Sequence, residues 1–266
     1  MISDPIRIRV WGPYACFTRP EFHVERVSYP VITPSAARGI LEAILMKPIE
    51  KPEAHKRRDK EGFRWHILRI GIVHEGTMMP ILRNELGYSA HNYTGYDIND
   101  MQNVRTQRHS LILQGEETEN GEKRLEYIIE AVLETDGENG ENMGKYFGCF
   151  KRRAEKGQCH HRPYFGCREF PCNFEWAPDA EPNSSINKPY GIMFRDFDFN
   201  HVWEHWPDDS DSTARPASWR DANGRTISPA PVSPLRAVAQ GGWITVAQVV
   251  GTNGRKEVRP VCTLIS

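Results

Sequence analysis

The 266-residue sequence has no run of about 18 consecutive apolar residues, which excludes a membrane-spanning helix of ordinary length. Its start, MISDPIRIRVWG, lacks a basic stretch followed by a long apolar run, so it does not read as a secretory signal. The expected location is therefore the cytoplasm. There is no CxxC pair. Cys149, Cys159, Cys167 and Cys172 are separated by nine, seven and four residues, with His160 and His161 between them. Structural zinc sites present ligands in close pairs, so no metal and no cofactor are expected. In a cytosolic chain of this length the six cysteines read as mostly free thiols. His201 and His205 stand at helical spacing but lack the glutamate a zinc protease needs after the first histidine. No Gly-rich phosphate loop, nucleophile elbow or paired-acid nuclease signature is visible. The formal net charge, −1, points to no partner by itself.

What the net charge hides is segregation. Residues 114 to 142 carry ten acids against two bases. Gly144 to Arg168 carries seven bases (Lys145, Lys151, Arg152, Arg153, Lys156, Arg162 and Arg168) against one acid, Glu155. Tyr146, Phe147, Phe150, Tyr164, Phe165 and Phe170 are interleaved with or follow these bases. Bases neutralise phosphates, and aromatic faces stack on unpaired nucleobases, so this stretch suits a polyanion. A solvated helix face, or pairing between the adjacent acidic and basic blocks, would produce the same composition.

The periodicities give an order of elements. Ile6, Ile8 and Val10 alternate with polar partners, as in a strand. Val27 to Ile32 is short and β-prone. Thr33-Pro34-Ser35 reads as a helix start, with Thr33 as N-cap and Pro34 in the first position; the helix is expected to stop near Lys47-Pro48. Gly39 inside it suggests a close approach by backbone or ligand, or a tolerated glycine. Residues 49 to 62 read as an exposed charged loop. Phe63 to Val73 reads as a strand with Leu68, Ile70 and Ile72 on one face and Trp65 and Ile67 on the other. Residues 76 to 106 read as loop-rich. Arg105 to Leu113 and Leu125 to Leu133 read as two strands around an acidic turn. Met143 to Lys156 reads as a helix closed by Gly157, burying Phe147, Phe150 and Ala154. Tyr164 to Phe174 and residues 191 to 200 read as strands, residues 206 to 234 as a long loop, and Ala237 to Val250 as a hairpin around Gly241-Gly242.

The order β-α-β, β-α-β implies an α+β chain. The expected architecture is a ferredoxin-like (RNA-recognition-like) domain over 1–177, with a smaller β-rich C-terminal region over 178–266. Without a metal, RNA is cut by turning its own 2′-hydroxyl on the adjacent phosphate, and the protein supplies a base, an acid and a cation. Lys145 and Tyr146 carry suitable groups, with His160 or His161 as a spare acid or base. Lys145 also reads as an ordinary helix-start lysine.

Several runs resemble a known family: RVWGPYACFTRPEFHVERVSYPVITPSAARGILEAILMKP, RTQRHSLIL, EKGQCHHRPYFGCREFP and YGIMFRDFDFN, with a weaker match at LRAVAQGGWITV. They resemble the type I-C CRISPR-associated "Cas-five" family, subtype d. The resemblance implies a metal-independent endoribonuclease that cuts the repeat hairpin of precursor CRISPR RNA. It then stays on the 5′ handle inside the Cascade complex, beside backbone, large and small subunits, and meets target DNA through that complex. Family active sites carry a tyrosine or histidine two residues before the Lys-Pro that ends the first helix; here that position is Leu45. A second pair, Lys-His, opens the second helix; here it is Lys145-Tyr146, the catalytic candidates. The alternative is a non-catalytic RNA-binding scaffold subunit. Arg19, Arg26, Arg38, Lys47, Arg83 and Arg108 in the family-like runs, with Arg152 and Arg153 of the basic stretch, are the candidate phosphate contacts. Tyr14 and Phe17 are the candidate stacking residues.

Overall fold

The structure is a computed structural model, and the residues it describes are 1–22, 25–47, 62–86, 105–135, 142–198, 230–231, 234–252 and 255–261. Residues 49–61 of the loop read over 49–62, the His201/His205 pair and most of the Pro/Ser/Asp-rich stretch lie outside them. The elements in chain order are β1 (Ile6–Gly12), β2 (Tyr14–Ala15), β3 (Arg26–Val27), α1 (Pro34–Ile44), β4 (Arg64–His74), β5 (Gly76–Leu86), β6 (Arg105–Glu117), β7 (Lys123–Glu134), α2 (Met143–Glu155), β8 (Asn173–Trp176), β9 (Pro189–Met193), β10 (Phe197–Asp198), β11 (Ala230–Pro231), β12 (Leu235–Gln240), β13 (Trp243–Thr245), β14 (Ala247–Thr252) and β15 (Arg255–Pro260). The class is α+β, mostly strand, with two helices among the described residues.

One sheet organises the chain. Its strands run β8-β1-β7-β4, each pair antiparallel, with α1 crossing from β1 toward β4 and α2 from β7 to β8. The sheet continues through β13, β12 and β9. Strands on both sides of residue 177 therefore share it. A long arm, β5 against β6, joins at the start of β7, where Glu116 and Glu117 pair with Arg124 and Lys123.

The residues explain the layers. Thr33 Oγ1 accepts from the Ala36 N–H at 3.2 Å, and Pro34 occupies the first turn, so α1 starts where its cap dictates. Ile40, Leu41 and Ile44 then turn inward onto Ile8, Val10, Tyr127 and Ile129 of the sheet in one continuous core. β7 lies at the centre of that sheet. Its odd-numbered residues from Leu125 to Leu133 belong to the helix-side core, while Glu126 and Glu130 alternate with them. Glu130 is ion-paired to Arg7 of β1 and Arg69 of β4, each at 2.7 Å, and Glu126 to Arg9 and Arg124. Thus acids of the acidic block are balanced by arginines of neighbouring strands.

Five expectations change. Residues 76–86 form a full strand, paired residue by residue from Gly76–Gly115 to Leu86–Arg105. The β-prone run 27–32 contributes no long strand, only the short parallel pairing of β3 with β6 and a single bridge from Ser28 to Thr18. In β4 a bulge between Ile67 and Arg69 shifts the alternation, so Trp65, Ile67, Ile70 and Ile72 share the main core and Leu68 joins Ile2, Val132 and Ala247 behind it. The run 164–174 turns rather than extends: Tyr164 bridges Pro171 and Gly166 takes φ +80°, so β8 begins only at Asn173. The buried stripe of α2 is Tyr146, Phe150 and Ala154, with Phe147 half-buried against Trp176. That one-residue offset takes Tyr146 inside.

Candidate functional site

The C-terminal end of α1 is the point where the candidate residues converge. A helix leaves its last carbonyls without intrahelical partners, and here those of Ala43 and Ile44, with that of Leu45 just beyond, are met by other elements. The Ala43 carbonyl accepts from the backbone N–H of His160 at 2.8 Å and of His161 at 3.3 Å. Arg153 donates to the Ile44 carbonyl at 2.6 Å, and the Trp65 indole N–H to the Leu45 carbonyl at 3.1 Å. Lys47 O accepts from the Phe63 N–H at 2.9 Å. Leu45 itself has left the helix, with φ −150° and ψ 119°. Pro48 disfavours helical geometry at Lys47, so the chain cannot continue the turn there.

Around this end stand the reactive groups. Lys47 Nζ donates to the Tyr146 hydroxyl at 3.3 Å and lies 5.5 Å from that ring's centroid. The Tyr146 ring is only 5% exposed and packs on Phe63 at 5.0 Å, within the core cluster that also holds Leu45. Lys145, one residue earlier, is exposed, and so are His160 and His161. The arrangement presents two ammonium groups and a phenol at one helix–helix corner, with imidazoles on a loop tied to the same helix end. Tyr146 is thus fixed from behind by packing and in front by Lys47.

The other candidates fall into separate groups. Arg38 is held by Asp196 at 2.6 and 3.0 Å and by Glu42 at 2.6 Å, tying α1 to the segment after β9. Arg83 and Arg108 oppose each other across β5 and β6. Arg83 forms a two-pronged pair with Glu169, one prong at 3.0 Å, and Arg26 approaches the same carboxylate at 3.8 Å. Arg19 stacks over Tyr29 at 4.8 Å and approaches Glu21 at 3.5 Å. Arg152 is exposed on α2, whereas Arg153 is committed to α1. Tyr14 is half-buried, 6.4 Å from Phe170.

Phe17 is the plain correction. It is 2% exposed, with its ring against Tyr127 at 6.2 Å and Phe165 at 5.8 Å, so it lines the cleft along α1 but presents no open face for a base to stack on. Phe17→Ala is expected to cost about 3–5 kcal/mol of stability, read by denaturant unfolding. Phe17→Leu should keep the wild-type salt dependence of RNA binding, whereas a stacking residue would lose affinity without losing stability.

Sequence reasoning missed the partners that immobilise the candidates: Phe63, Trp65, Glu169 and Asp196. The aromatic pair was visible only as strand hydrophobics, and no local signal marks an acid that pairs across the fold. A cleft of about 370 Å³ also opens along α1, lined by Thr18, Thr33, Ser35, Gly39, Tyr164 and Phe194. A Cβ on Gly39 would meet nothing within 4 Å, so packing does not demand that glycine. Among the described residues no group of three or more His, Cys, Asp or Glu is placed to hold a metal ion, and no helix is long and apolar enough to cross a membrane.

Fold and site together define an α+β protein with a cationic corner between α1 and α2. The sequence pattern of the Cas5d family of CRISPR-associated proteins matches residues 6–246, and the chain belongs to that family. It is 43% identical over 195 residues to the CRISPR pre-crRNA endoribonuclease Cas5d of Thermus thermophilus, covering 73% of each chain. It is 38% identical over 219 residues to the protein of the same name from Mannheimia succiniciproducens, covering 75% of this chain and 88% of that one. A crystal structure of a CRISPR-associated protein superposes with a TM-score of 0.51 at 18% identity over 92% of both chains, a likeness of fold.

Proposed function

We infer that this chain cuts the repeat hairpin of precursor CRISPR RNA without a metal ion and then holds the 5′ handle within a Cascade-type complex. The observation that carries the reading is the kinship at 43% identity to a protein named for that cleavage, joined to a helix corner that holds Lys47, Lys145 and Tyr146. The strand order β8-β1-β7-β4 with its two helical crossovers is read as a ferredoxin-like core, and the strands beyond residue 177 as its smaller β-rich extension.

The chemistry follows from what each group can reach. Lys145 is exposed and supplies positive charge where the phosphate gains negative charge in the transition state. Tyr146 moves a proton through a hydroxyl already hydrogen-bonded to Lys47. Leu45 carries no such group, so the phenol is delivered from α2 and not from α1. Arg152 and the arginines around Glu169 contact the RNA backbone, and the cleft of about 370 Å³ beside Gly39 receives a nucleotide of the handle. Backbone, large and small subunits of the complex are the protein partners, and target DNA is met through them.

The burial of Tyr146 and the apolar Leu45 favour one competing reading, a non-catalytic subunit that only binds the handle. Incubation of the purified full chain with one labelled repeat hairpin separates the two. A discrete cut near the 3′ base of the stem is the expected result. Tight binding with no product supports the competing reading, and affinity indifferent to the repeat sequence overturns both.

A further inference from the structure

Cys16 and Cys167 are 151 residues apart in sequence and meet beside β2. The backbone brings them together. The Cys16 N–H donates to the Phe165 carbonyl at 3.0 Å, and the next residue, Gly166, lies so close that a Cβ on it would sit 2.0 Å from the Cys16 carbonyl oxygen. Both sulfurs touch one hydroxyl: Thr18 Oγ1 is 3.6 Å from Cys16 Sγ and 3.9 Å from Cys167 Sγ. The protonated Cys167 thiol reaches the Cys16 carbonyl at 3.6 Å, and Arg26 donates to the Cys167 sulfur at 3.4 Å. Cys167 is half-buried, as are Cys149 and Cys159, and Cys16 is fully buried.

We propose that Cys16 and Cys167 form a redox-convertible pair, in which Cys167 takes the oxidising hit from a peroxide and Cys16 resolves it as a disulfide. Reactivity follows thiolate character and access, and Cys167 has both. The Cys16 thiol donates to it, which outweighs the cost of burial, and Thr18 and Arg26 add to the effect, so the Cys167 thiol is brought down to about 6. Cys16 is pushed the other way by the same contact and by burial. Cys172 is pushed up to about 12, chiefly by burial, and is inert by comparison.

The steps balance with hydrogen peroxide as oxidant. The Cys167 thiolate attacks one peroxide oxygen, the O–O bond breaks, and hydroxide leaves and takes a proton to become water. Cys167 is then a sulfenic acid, oxidised by two electrons as the peroxide is reduced by two. The Cys16 sulfur attacks the Cys167 sulfur, the S–O bond breaks, and a second water leaves with the Cys16 proton. The product ties the end of β2 to the turn between α2 and β8, beside the Glu169 carboxylate that holds Arg83.

The test uses the reduced full chain, freed of reductant and treated with increasing hydrogen peroxide, followed by non-reducing peptide mass spectrometry. The expected product is the Cys16 peptide linked to the Cys167 peptide, formed before any change at the half-buried Cys149 or Cys159, with a rise in melting temperature that reductant reverses. Cys16→Ser should leave Cys167 as a sulfenic acid trappable by dimedone, and Cys167→Ser should give no link. Earlier oxidation of Cys149 or Cys159, wild-type Cys167 stopping as sulfenic acid, or thiols unmoved by excess peroxide would each overturn the proposal; all are read on the wild-type chain.

Discussion

Gly166→Ala is expected to lower stability by about 3 kcal/mol or more, the sum of a strained backbone and an overpacked contact. Gly166 has φ +80°, a conformation an alanine adopts only at a cost, and a Cβ would collide with the Cys16 carbonyl oxygen at 2.0 Å. The atoms in the way are backbone and cannot swing aside. The Cys16 N–H to Phe165 carbonyl bond on one side and the Tyr164–Pro171 bridge on the other hold the loop in place. Urea unfolding of the purified variant measures the loss. At about 2–4 °C per kcal/mol for a chain of this size, the melting temperature should fall by roughly 6–12 °C. A variant as stable as wild type would show that the loop does not press on Cys16.

Glu130→Ala should cost about 3 kcal/mol, the lower end of what breaking a buried ion pair costs. The Glu130 side chain is 8% exposed and accepts from both Arg7 and Arg69. Its loss leaves two guanidinium groups facing a buried gap. The penalty stays at the lower end because Arg7 keeps Glu181 at 2.8 Å and both arginines keep the Trp243 ring, at 5.2 and 4.3 Å. The pH dependence has a definite sign. Burial raises the Glu130 carboxyl, but Arg69 and Arg7 outweigh it and hold the group below its ordinary 4.5. A carboxylate lowered on folding contributes stability that is present above its unfolded value and is lost as pH falls through the folded one. Glu134, lowered chiefly by its hydrogen bond with His66, acts in the same window. Wild type should therefore lose stability steeply below about pH 4.5, and Glu130→Ala less steeply, in melting temperatures measured against pH.

The parts of the fold legible in the sequence are those whose cause is local. The Thr33-Pro34 start of α1, the alternation of Ile6, Ile8 and Val10, and the Gly241-Gly242 hairpin each follow from neighbouring residues. β5 was hidden because Gly76, Pro80 and Asn84 read as loop, while the pairing that makes it a strand comes entirely from β6. The run 164–174 looked extended because its aromatics suggest a strand, yet Gly166 and the Cys16 backbone impose a turn. The offset in α2 matters most for the site. The buried stripe was read through Phe147 and did not include Tyr146, whereas the contacts with Phe63 and Lys47 pull Tyr146 in. Lys145 and Tyr146 stood out by their position in the family resemblance, of whose Lys-His pair only the lysine is kept, and their role is the one proposed above. Their companion Lys47 stood only among the phosphate contacts, because its link to Tyr146 spans 99 residues.

The central claim is that the corner between α1 and α2 cuts RNA without a metal. Single-turnover cleavage of a labelled repeat hairpin in EDTA, by wild type, Lys145→Ala and Tyr146→Phe, tests it most directly. Lys145 is exposed, so Lys145→Ala should melt as wild type does, whereas Tyr146→Phe also loses the hydrogen bond from Lys47 and should cost about 1 kcal/mol, too little to unfold the chain. The expected result is a discrete product from wild type and rates about 100-fold lower or more from each variant. Equal cleavage by all three proteins, or a wild-type activity that EDTA abolishes, would contradict it.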